Sequence, residues 1–293
     1  MVRRRRAVME MLRILRFIRF PNNCKIKMNI TLLCVLLLPF VQSTAMLIIC
    51  VLNEKNYLLV YLFYQSQVES RVMMYSIAFF KLVLSHFLYP TVTNLVAFAY
   101  SVSCHLCYIY LRSLSSELDK CPPEAFTFKI KNEMLKKRQK IMKLVEKKEE
   151  ALSTASFIAC SATFMACLAH MSQLLAYFSG NLIVIIVQVS FNIGCAVVST
   201  ASIFFKAGQI PIEMDKFSRL KRRYIELRSF LALSSSSTSV EISMNVDQVI
   251  TLSGCDLIMY RKSTILTFLG TILTYGLLFL GINFETDESR LMS

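Results

Sequence analysis

The sequence has little of what normally covers a water-soluble protein. Only 18% of its 293 residues are charged, it contains no Trp and only seven Gly, and 55% of its residues are apolar. Soluble domains carry about 25% charged residues. With a mean hydropathy of +0.52, the composition predicts a polytopic membrane protein. The same figures exclude a disordered chain, a collagen-like repeat and a small disulfide-stapled secreted domain.

The sequence also lacks the spacing that metal sites require, although it contains ten cysteines. Most of these cysteines lie in apolar stretches, where a thiol behaves as a small hydrophobic side chain. Cys104 and Cys107 form a CxxC pair, but no second pair follows at the spacing of a zinc site. We therefore predict neither a metal nor a cofactor.

Five runs of the sequence contain no Asp, Glu, Lys or Arg and are long enough to cross a membrane. A spanning helix needs roughly 20 mostly apolar residues. The predicted spans are residues 29–52, 87–111, 154–178, 182–205 and 264–282. They predict an all-α fold, a polytopic transmembrane helical bundle with cytosolic helical extensions.

The stretch from Tyr57 to Phe80 is less regular than these runs. It is rich in aromatic and aliphatic residues, but Glu69 and Arg71 interrupt it. This pattern favours an amphipathic or partly re-entrant extracellular segment. A sixth crossing here is the alternative, and whether residues 57–81 cross the membrane stays open.

The net charge of +14 is concentrated in three segments. Residues 1–28 hold nine basic and one acidic residue, residues 112–153 hold eleven and seven, and residues 206–263 hold nine and six. Basic loops stay in the cytosol. We therefore expect a basic cytosolic amino terminus (1–28), a membrane bundle (29–283) with cytosolic helical loops at 112–153 and 206–263, and an extracellular tail (284–293).

The Arg run near the amino terminus has two readings. Four consecutive arginines, Arg3 to Arg6, are also typical of nucleic-acid-binding patches. Because this run precedes a membrane span, it is explained more simply as an orientation signal that contacts anionic lipid headgroups. We predict membrane lipid, and no nucleic acid, as its partner.

Apolar residues recur at helical spacing in the charged loops. Between Phe126 and Leu152, apolar side chains follow one another at steps of 4, 7, 4 and 7, which places them on one face of a charged helix; they are Ile130, Met134, Ile141, Val145 and Leu152. A similar basic helix is predicted from Ile212 to Leu233, and a second one from Val240 after a Ser-rich break. The first stripe packs either on the membrane surface or, as we favour, against a helical extension of the bundle.

The chain carries no recognisable catalytic motif. Its acids lie in loops, where burial cannot tune paired carboxylates for acid–base work, so we predict that it is not an enzyme. The spans do carry neutral polar groups, Asn94 among them. The ligand-binding candidates are His86, Tyr89, His170, Gln173, Tyr177, Gln188 and Asn192. They predict a pocket for a small, largely uncharged molecule near the outer leaflet; hydrogen bonding between helices is the alternative role.

The last fifty residues resemble the carboxyl-terminal motif of arthropod gustatory receptors. The matching residues are TLSGC at 251–255, RKST at 261–264 and TYGLLFL at 274–280. In that family, a Thr-Tyr pair and five hydrophobic residues precede Gln-Phe in the final span. Here Gly281 and Ile282 occupy the positions of Gln and Phe. The predicted topology is also similar, although the family has seven spans and five are found here.

The resemblance implies a seven-transmembrane chemosensory receptor. Whether the first two family spans are missing here through truncation stays open. It implies a plasma-membrane, ligand-gated, non-selective cation channel that senses a small-molecule tastant as a homo- or hetero-tetramer with related subunits. The residues expected to line the pore are Thr274, Tyr275, Leu277, Leu278, Leu280 and Gly281. A helical membrane transporter or a non-conducting membrane scaffold, including a truncated receptor fragment, is the alternative.

Overall fold

The computed structural model describes residues 9–10, 22–53, 70–122, 125–176, 182–234, 252–254 and 258–291. The helices are α1 (Asn22–Asn53), α2 (Arg71–His86), a π-helical turn (Phe87–Thr91), α3 (Val92–Asp119), α4 (Phe128–Ala176), α5 (Leu182–Ser234) and α6 (Lys262–Leu291). Two-residue strands, β1 (Ser253–Gly254) and β2 (Ile258–Met259), pair antiparallel before α6. The predicted all-α fold is thus confirmed.

Within the described residues, four helical segments are long and apolar enough to cross a membrane. They are Lys25–Leu52 in α1, Arg71–Asp119 from α2 to α3, Lys129–Gln173 in α4 and Ile185–Leu227 in α5. These segments contain the first four predicted spans or most of each. The fifth predicted span falls in α6, in which the described apolar stretch runs from Ser263 to Gly276. The chain is therefore a polytopic helical membrane protein.

The helical segment that contains the second predicted span begins at Arg71, well before the predicted start at residue 87. One face of α2 is buried because Ala78 and Leu82 pack against Met46 and Cys50 of α1. Residues 57–69 of the irregular stretch lie outside the described residues. The last part of the stretch from Tyr57 to Phe80 therefore belongs to α2, which packs on α1.

Proline explains the break between α2 and α3. The ring of a proline sterically disfavours helical φ and ψ angles in the residue before it. Tyr89, which precedes Pro90, accordingly has φ −145° and ψ 127°, and the helix widens into a π-helical turn around it. The break lies inside a predicted span, and hydroxyl groups of the same segment bond to its backbone oxygens, Thr91 to His86 and Thr93 to Pro90.

The chain divides into two compact units. Unit 1 contains Met1–Arg19, Tyr100–Ala155 and Ile203–Lys262, and unit 2 contains Phe20–Ala99, Ser156–Ser202 and Ser263–Ser293. Unit 1 holds the two predicted cytosolic loops. Unit 2 holds most of the predicted spans.

The core of unit 1 joins three helices. Leu114 and Leu118 of α3 and Met134 of α4 pack against Phe217 and Tyr224 of α5. The predicted apolar stripe of the 126–152 segment contributes to this core, since Ile130, Met134 and Ile141 belong to it or pack against it. The stripe therefore packs inside the protein. The helix predicted from Ile212 lies in α5, whereas residues 235–251, with the second predicted helix, lie outside the described part.

Candidate ligand-binding site

Three helices of unit 2 are linked by a chain of hydrogen bonds centred on Asn192. The side-chain nitrogen of Gln42 in α1 donates to Asn192 Oδ1 in α5 over 3.2 Å. Asn192 Nδ2 in turn lies 3.1 Å from His170 Nε2 of α4. Gln42 and Asn192 are 4% and 3% exposed. The chain of contacts therefore runs through the interior of the unit, where each bond replaces one that water would otherwise make.

The partners of His170 determine its tautomer. Because the amide nitrogen of Asn192 can only donate, His170 Nε2 accepts. The ring proton then resides on Nδ1, which lies 3.1 Å from Gln173 Oε1 and donates to it. A neutral imidazole thus satisfies both neighbours without any charge in the span.

A second polar pair lies between α1 and α2. Ser43 Oγ is 3.0 Å from His86 Nδ1, and both residues are buried. The hydroxyl of Thr91 donates to the backbone oxygen of His86 over 2.8 Å, across the π-helical turn. The first contact orients the imidazole of His86, and the second restrains its backbone at the point where the helix bends.

Two buried polar atoms near this network have no hydrogen-bond partner among the described residues. One is the hydroxyl oxygen of Tyr89, and the other is Gln42 Oε1. The ring centroid of Tyr89 lies 6.3 Å from that of His170. Buried polar groups are almost always paired, either within the protein or with ordered water. These atoms are therefore the places where a ligand would gain hydrogen bonds.

We call Gln42, Ser43, His86, Tyr89, His170, Gln173 and Asn192 the polar cluster. The described part of unit 2 buries no Asp, Glu, Lys or Arg. Amides, imidazoles and hydroxyls both donate and accept hydrogen bonds. They suit a small uncharged ligand with hydrogen-bonding groups, since a charged ligand would be desolvated there without a counter-ion.

The remaining candidates are placed less centrally. Gln188 is half-buried, one turn before Asn192, and has no side-chain hydrogen bond within the described ranges. Tyr177 lies outside the described residues. Asn94 is buried, and its side-chain oxygen accepts a hydrogen bond from Ser199 of α5.

The sequence alone does not predict Gln42 and Ser43 as site residues, although they are the residues of α1 in the polar cluster. The available signal was their position: they are adjacent polar residues inside an otherwise apolar run. Such residues in a span usually face a neighbouring helix rather than lipid. Their partners are 150 and 43 residues away, so spacing along the sequence could not identify them.

Helix α6 packs on α4 and α5 through one face. Phe268 and Ile272 contact a group of residues in these two helices that includes Cys167 and Ala196. The ring centroids of Phe268 and Phe164 lie 5.7 Å apart. One helix face therefore anchors α6 within unit 2.

The predicted pore-lining residues include several on the outward surface of α6. Thr274, Tyr275 and Leu278 are exposed, the latter two by 47% and 54%. The Thr274 hydroxyl donates to the backbone oxygen of Gly270 over 2.9 Å. Leu277, Leu280 and Gly281 lie in the same helix. The exposed residues form a surface of α6 that the described chain leaves uncovered.

Two residues of the polar cluster are sequence neighbours of residues that contact or pack near α6. Met171 follows His170, and its methyl group lies so near Gly276 that a Cβ at that glycine would be 2.6 Å from it. Ile193 follows Asn192 and packs in the α6 contact group. His170 and Asn192 are therefore each followed in sequence by a residue that contacts α6 or packs in its contact group.

No family model matches the chain, and no curated protein is significantly similar to it.

Proposed function

We propose that the chain is a subunit of a ligand-gated, non-selective cation channel of the plasma membrane, a gustatory-type chemoreceptor for a small uncharged molecule. The proposal rests on the resemblance of residues 251–280 to gustatory receptors and on one structural observation. That observation is the direct adjacency of the polar cluster to the contacts of α6.

The polar cluster supplies the binding part of this mechanism. A ligand that hydrogen-bonds to Tyr89 and Gln42 adds partners that the described residues do not offer. Only a ligand that binds one conformation more tightly than another shifts an equilibrium. Ligand contacts that reposition His170 or Asn192 would differ between the two states, because both residues adjoin the packing surface of α6.

Helix α6 supplies the conducting part. Its exposed surface carries Thr274, Tyr275 and Leu278, a mixture of hydroxyl and aliphatic side chains. Hydrophobic constrictions gate pores by dewetting, and hydroxyl groups help to solvate passing ions. In a tetramer, four such surfaces would surround a central pore, with the amino terminus cytosolic and the carboxyl terminus extracellular.

A helical transporter is the second candidate, and the bend between α2 and α3 favours it. Transporters often place broken helices beside the substrate near the middle of the membrane. Tyr89 interrupts its helix beside the polar cluster in this way. The two functions differ in what crosses the membrane: a channel passes cations down their gradient, whereas a transporter moves the ligand itself.

Recording from oocytes that express the chain distinguishes the two. Application of a panel of small uncharged tastants should evoke a cation current that reverses near zero potential, without accumulation of the compound. Surface labelling confirms that the chain reaches the membrane. Uptake of a panel compound without current, or silence to the whole panel at normal surface expression, would contradict the channel.

Tyr89→Phe tests the ligand site because it removes only the hydroxyl group. Loss of one hydrogen bond to the ligand should raise the half-maximal concentration about 2- to 10-fold. Tyr75→Phe is the matched control, since Tyr75 packs against the apolar contact of α1 and α2 instead. Equal effects of the two variants would remove Tyr89 from the site.

Gly276→Ala tests the link between the site and α6. The added methyl group must displace Met171, whose flexible end can move without unfolding the chain. Mutations along such contacts change coupling enough to shift the half-maximal concentration about 2- to 30-fold. Gly194→Ala is the control, because no atom lies within 4 Å of its added Cβ. A normal response in Gly276→Ala would break the proposed link.

A further inference from the structure

A groove of about 680 Å³ runs along one face of α3 in unit 1. Its lining side chains recur every three or four residues, so they form a single stripe on the helix. They include His105, Tyr108, Arg112, Ser113, Ser116 and Lys120. This groove is separate from the polar cluster, and neither the predicted ligand site nor the predicted pore uses its residues.

The groove changes in character along its length. Its first part is lined by His105, Tyr108 and Ile109, which lie in the predicted span 87–111. The rings of His105 and Tyr108 stack at 6.3 Å with an interplanar angle of 17°. Arg112 is the first residue after this span, and basic and hydroxyl residues continue to Lys120. The stripe therefore has an aromatic half inside the predicted span and a cationic half just after the end of that span.

The cationic half is not neutralised by its single acid. Glu117 lines the groove, but Lys137 of α4 binds its carboxylate at 2.7 Å. This hydrogen bond raises the pKa of Lys137, which favours its charged form. Arg112 contacts the hydroxyl of Tyr108 at 3.4 Å. No ion pair to Arg112 or Lys120 occurs among the described residues.

The hydroxyl groups complete a set of donors for phosphate oxygens. Ser113 and Ser116 are exposed and flank Arg112 on the helix surface. A guanidinium group binds phosphate through two parallel hydrogen bonds, and an ammonium group adds a point charge. Serine hydroxyls donate to the same oxygens without adding charge. The four side chains thus match a phosphorylated headgroup better than they match a carboxylate or a neutral sugar.

We propose that this groove binds an anionic lipid that carries a phosphorylated headgroup. Arg112, Ser113, Ser116 and Lys120 hold the phosphate groups, and the start of an acyl chain lies along Tyr108 and Ile109. The orientation predicted from the loop charges places the cationic half in the cytosol, where anionic lipids are enriched. A lipid fits better than a free phosphate because the groove continues from the cationic half to membrane depth.

The experiment uses the full chain purified in a neutral detergent. Since the chain has no Trp, binding is read from the fluorescence anisotropy of a labelled short-chain phosphatidylinositol bisphosphate. Unlabelled phosphatidylinositol bisphosphate should displace the probe. Phosphatidylcholine of the same chain length should not, and inositol trisphosphate or inorganic phosphate should displace it only at much higher concentration.

The variant Arg112→Gln/Lys120→Gln should weaken binding about 30-fold, because each of the two basic residues near an anionic headgroup contributes about fivefold to the affinity. Lys136→Gln/Lys140→Gln is the matched control: it removes the same charge from exposed positions of α4 outside the groove. It should leave the affinity within twofold. Thermal midpoints of both variants establish that they fold.

Three outcomes would overturn the proposal. Equal losses in the two double variants would indicate attraction by net charge alone. Equal affinity for inositol trisphosphate and the lipid would indicate a site for soluble phosphates. Displacement by phosphatidylcholine as strong as that by phosphatidylinositol bisphosphate would indicate a purely apolar lipid contact. If Arg112→Gln/Lys120→Gln fails to fold, Ser113→Ala/Ser116→Ala replaces it, and unchanged affinity in that variant would contradict the assigned headgroup contacts.

Discussion

The two units bury polar groups of different kinds. In the described part of unit 2, every buried polar side chain is neutral, whereas unit 1 buries Lys148, Lys221 and Glu213. A charged group in hydrocarbon costs several kilocalories per mole even when it is accommodated. The difference parallels the predicted topology, in which unit 2 holds most of the predicted spans and unit 1 holds the two helical loops predicted to lie in the cytosol.

Lys148 shows what a buried charge needs. Its side chain has 0% exposure, and its ammonium lies 2.7 Å from Glu149 Oε1 and 4.1 Å from the centre of the Tyr100 ring. It also donates to Cys104 Sγ over 3.2 Å. Burial lowers the pKa of Lys148, but the Cys104 sulfur and the Glu149 carboxylate raise it by more, so that it lies above its usual value. The ammonium is stable there because three neighbours replace its water.

The polar cluster of unit 2 needs no such compensation. Its bonds join neutral groups. Tyr89 and Gln42 even retain buried polar atoms without a partner among the described residues. A neutral network with unused atoms can exchange partners at a small cost, whereas an ion pair cannot. We infer that unit 2 is suited to ligand-dependent rearrangement and that the Lys148 contacts of unit 1 are suited to fixing one packing.

The largest expected effect comes from Glu149→Gln, which leaves the ammonium of Lys148 buried without its carboxylate. Removing one partner of a buried ion pair costs about 3 kcal/mol. The free energy of unfolding, measured by titrating detergent-solubilised protein with a denaturing detergent, should fall by that amount. In a Lys148→Met background, the same change should cost less than about 0.5 kcal/mol, because the buried charge has been removed.

Glu146→Gln is the control for this prediction. Glu146 lies on the same helix as Glu149 but is exposed. Exposed substitutions of this kind usually change stability by less than about 0.5 kcal/mol. If Glu149→Gln is equally mild, Lys148 is not held as a buried cation, and the contrast between the units fails.

The same contrast decides how much of the molecule the sequence could predict. The first four spans were predictable because charges are absent over a membrane's thickness, a property of composition. The start of α2 at Arg71 was not. Arg71 and Lys81 lower the local hydropathy, but Ala78 and Leu82 are buried against α1 by a contact between distant segments. Tertiary packing overrides local pattern in such places.

The candidate site was predictable residue by residue but not as an arrangement. His86, His170 and Asn192 stood out as polar groups in apolar runs. Nothing local indicated that Gln42 would meet Asn192 or that Ser43 would meet His86, because helix pairing is set by the whole bundle. The burial of Lys148 could not be predicted from the sequence for a different reason. Its sequence neighbours are charged, and such a run is typical of a solvated helix face.

The smallest expected effect comes from Asn192→Ala in the polar cluster. The substitution removes the bonds of Asn192 to Gln42 and His170. Bonds between membrane helices average about 0.6 kcal/mol each, so the free energy of unfolding should fall by about 1 kcal/mol. Gln188→Ala, one turn away on α5, should cost less, since no bond of its side chain occurs within the described ranges. A loss in Asn192→Ala as large as that in Glu149→Gln would contradict the contrast, because it would mean that neutral bonds fix unit 2 as firmly as the ion pair fixes unit 1. A loss near 1 kcal/mol would instead leave the polar cluster weak enough for a ligand's hydrogen bonds to rearrange it.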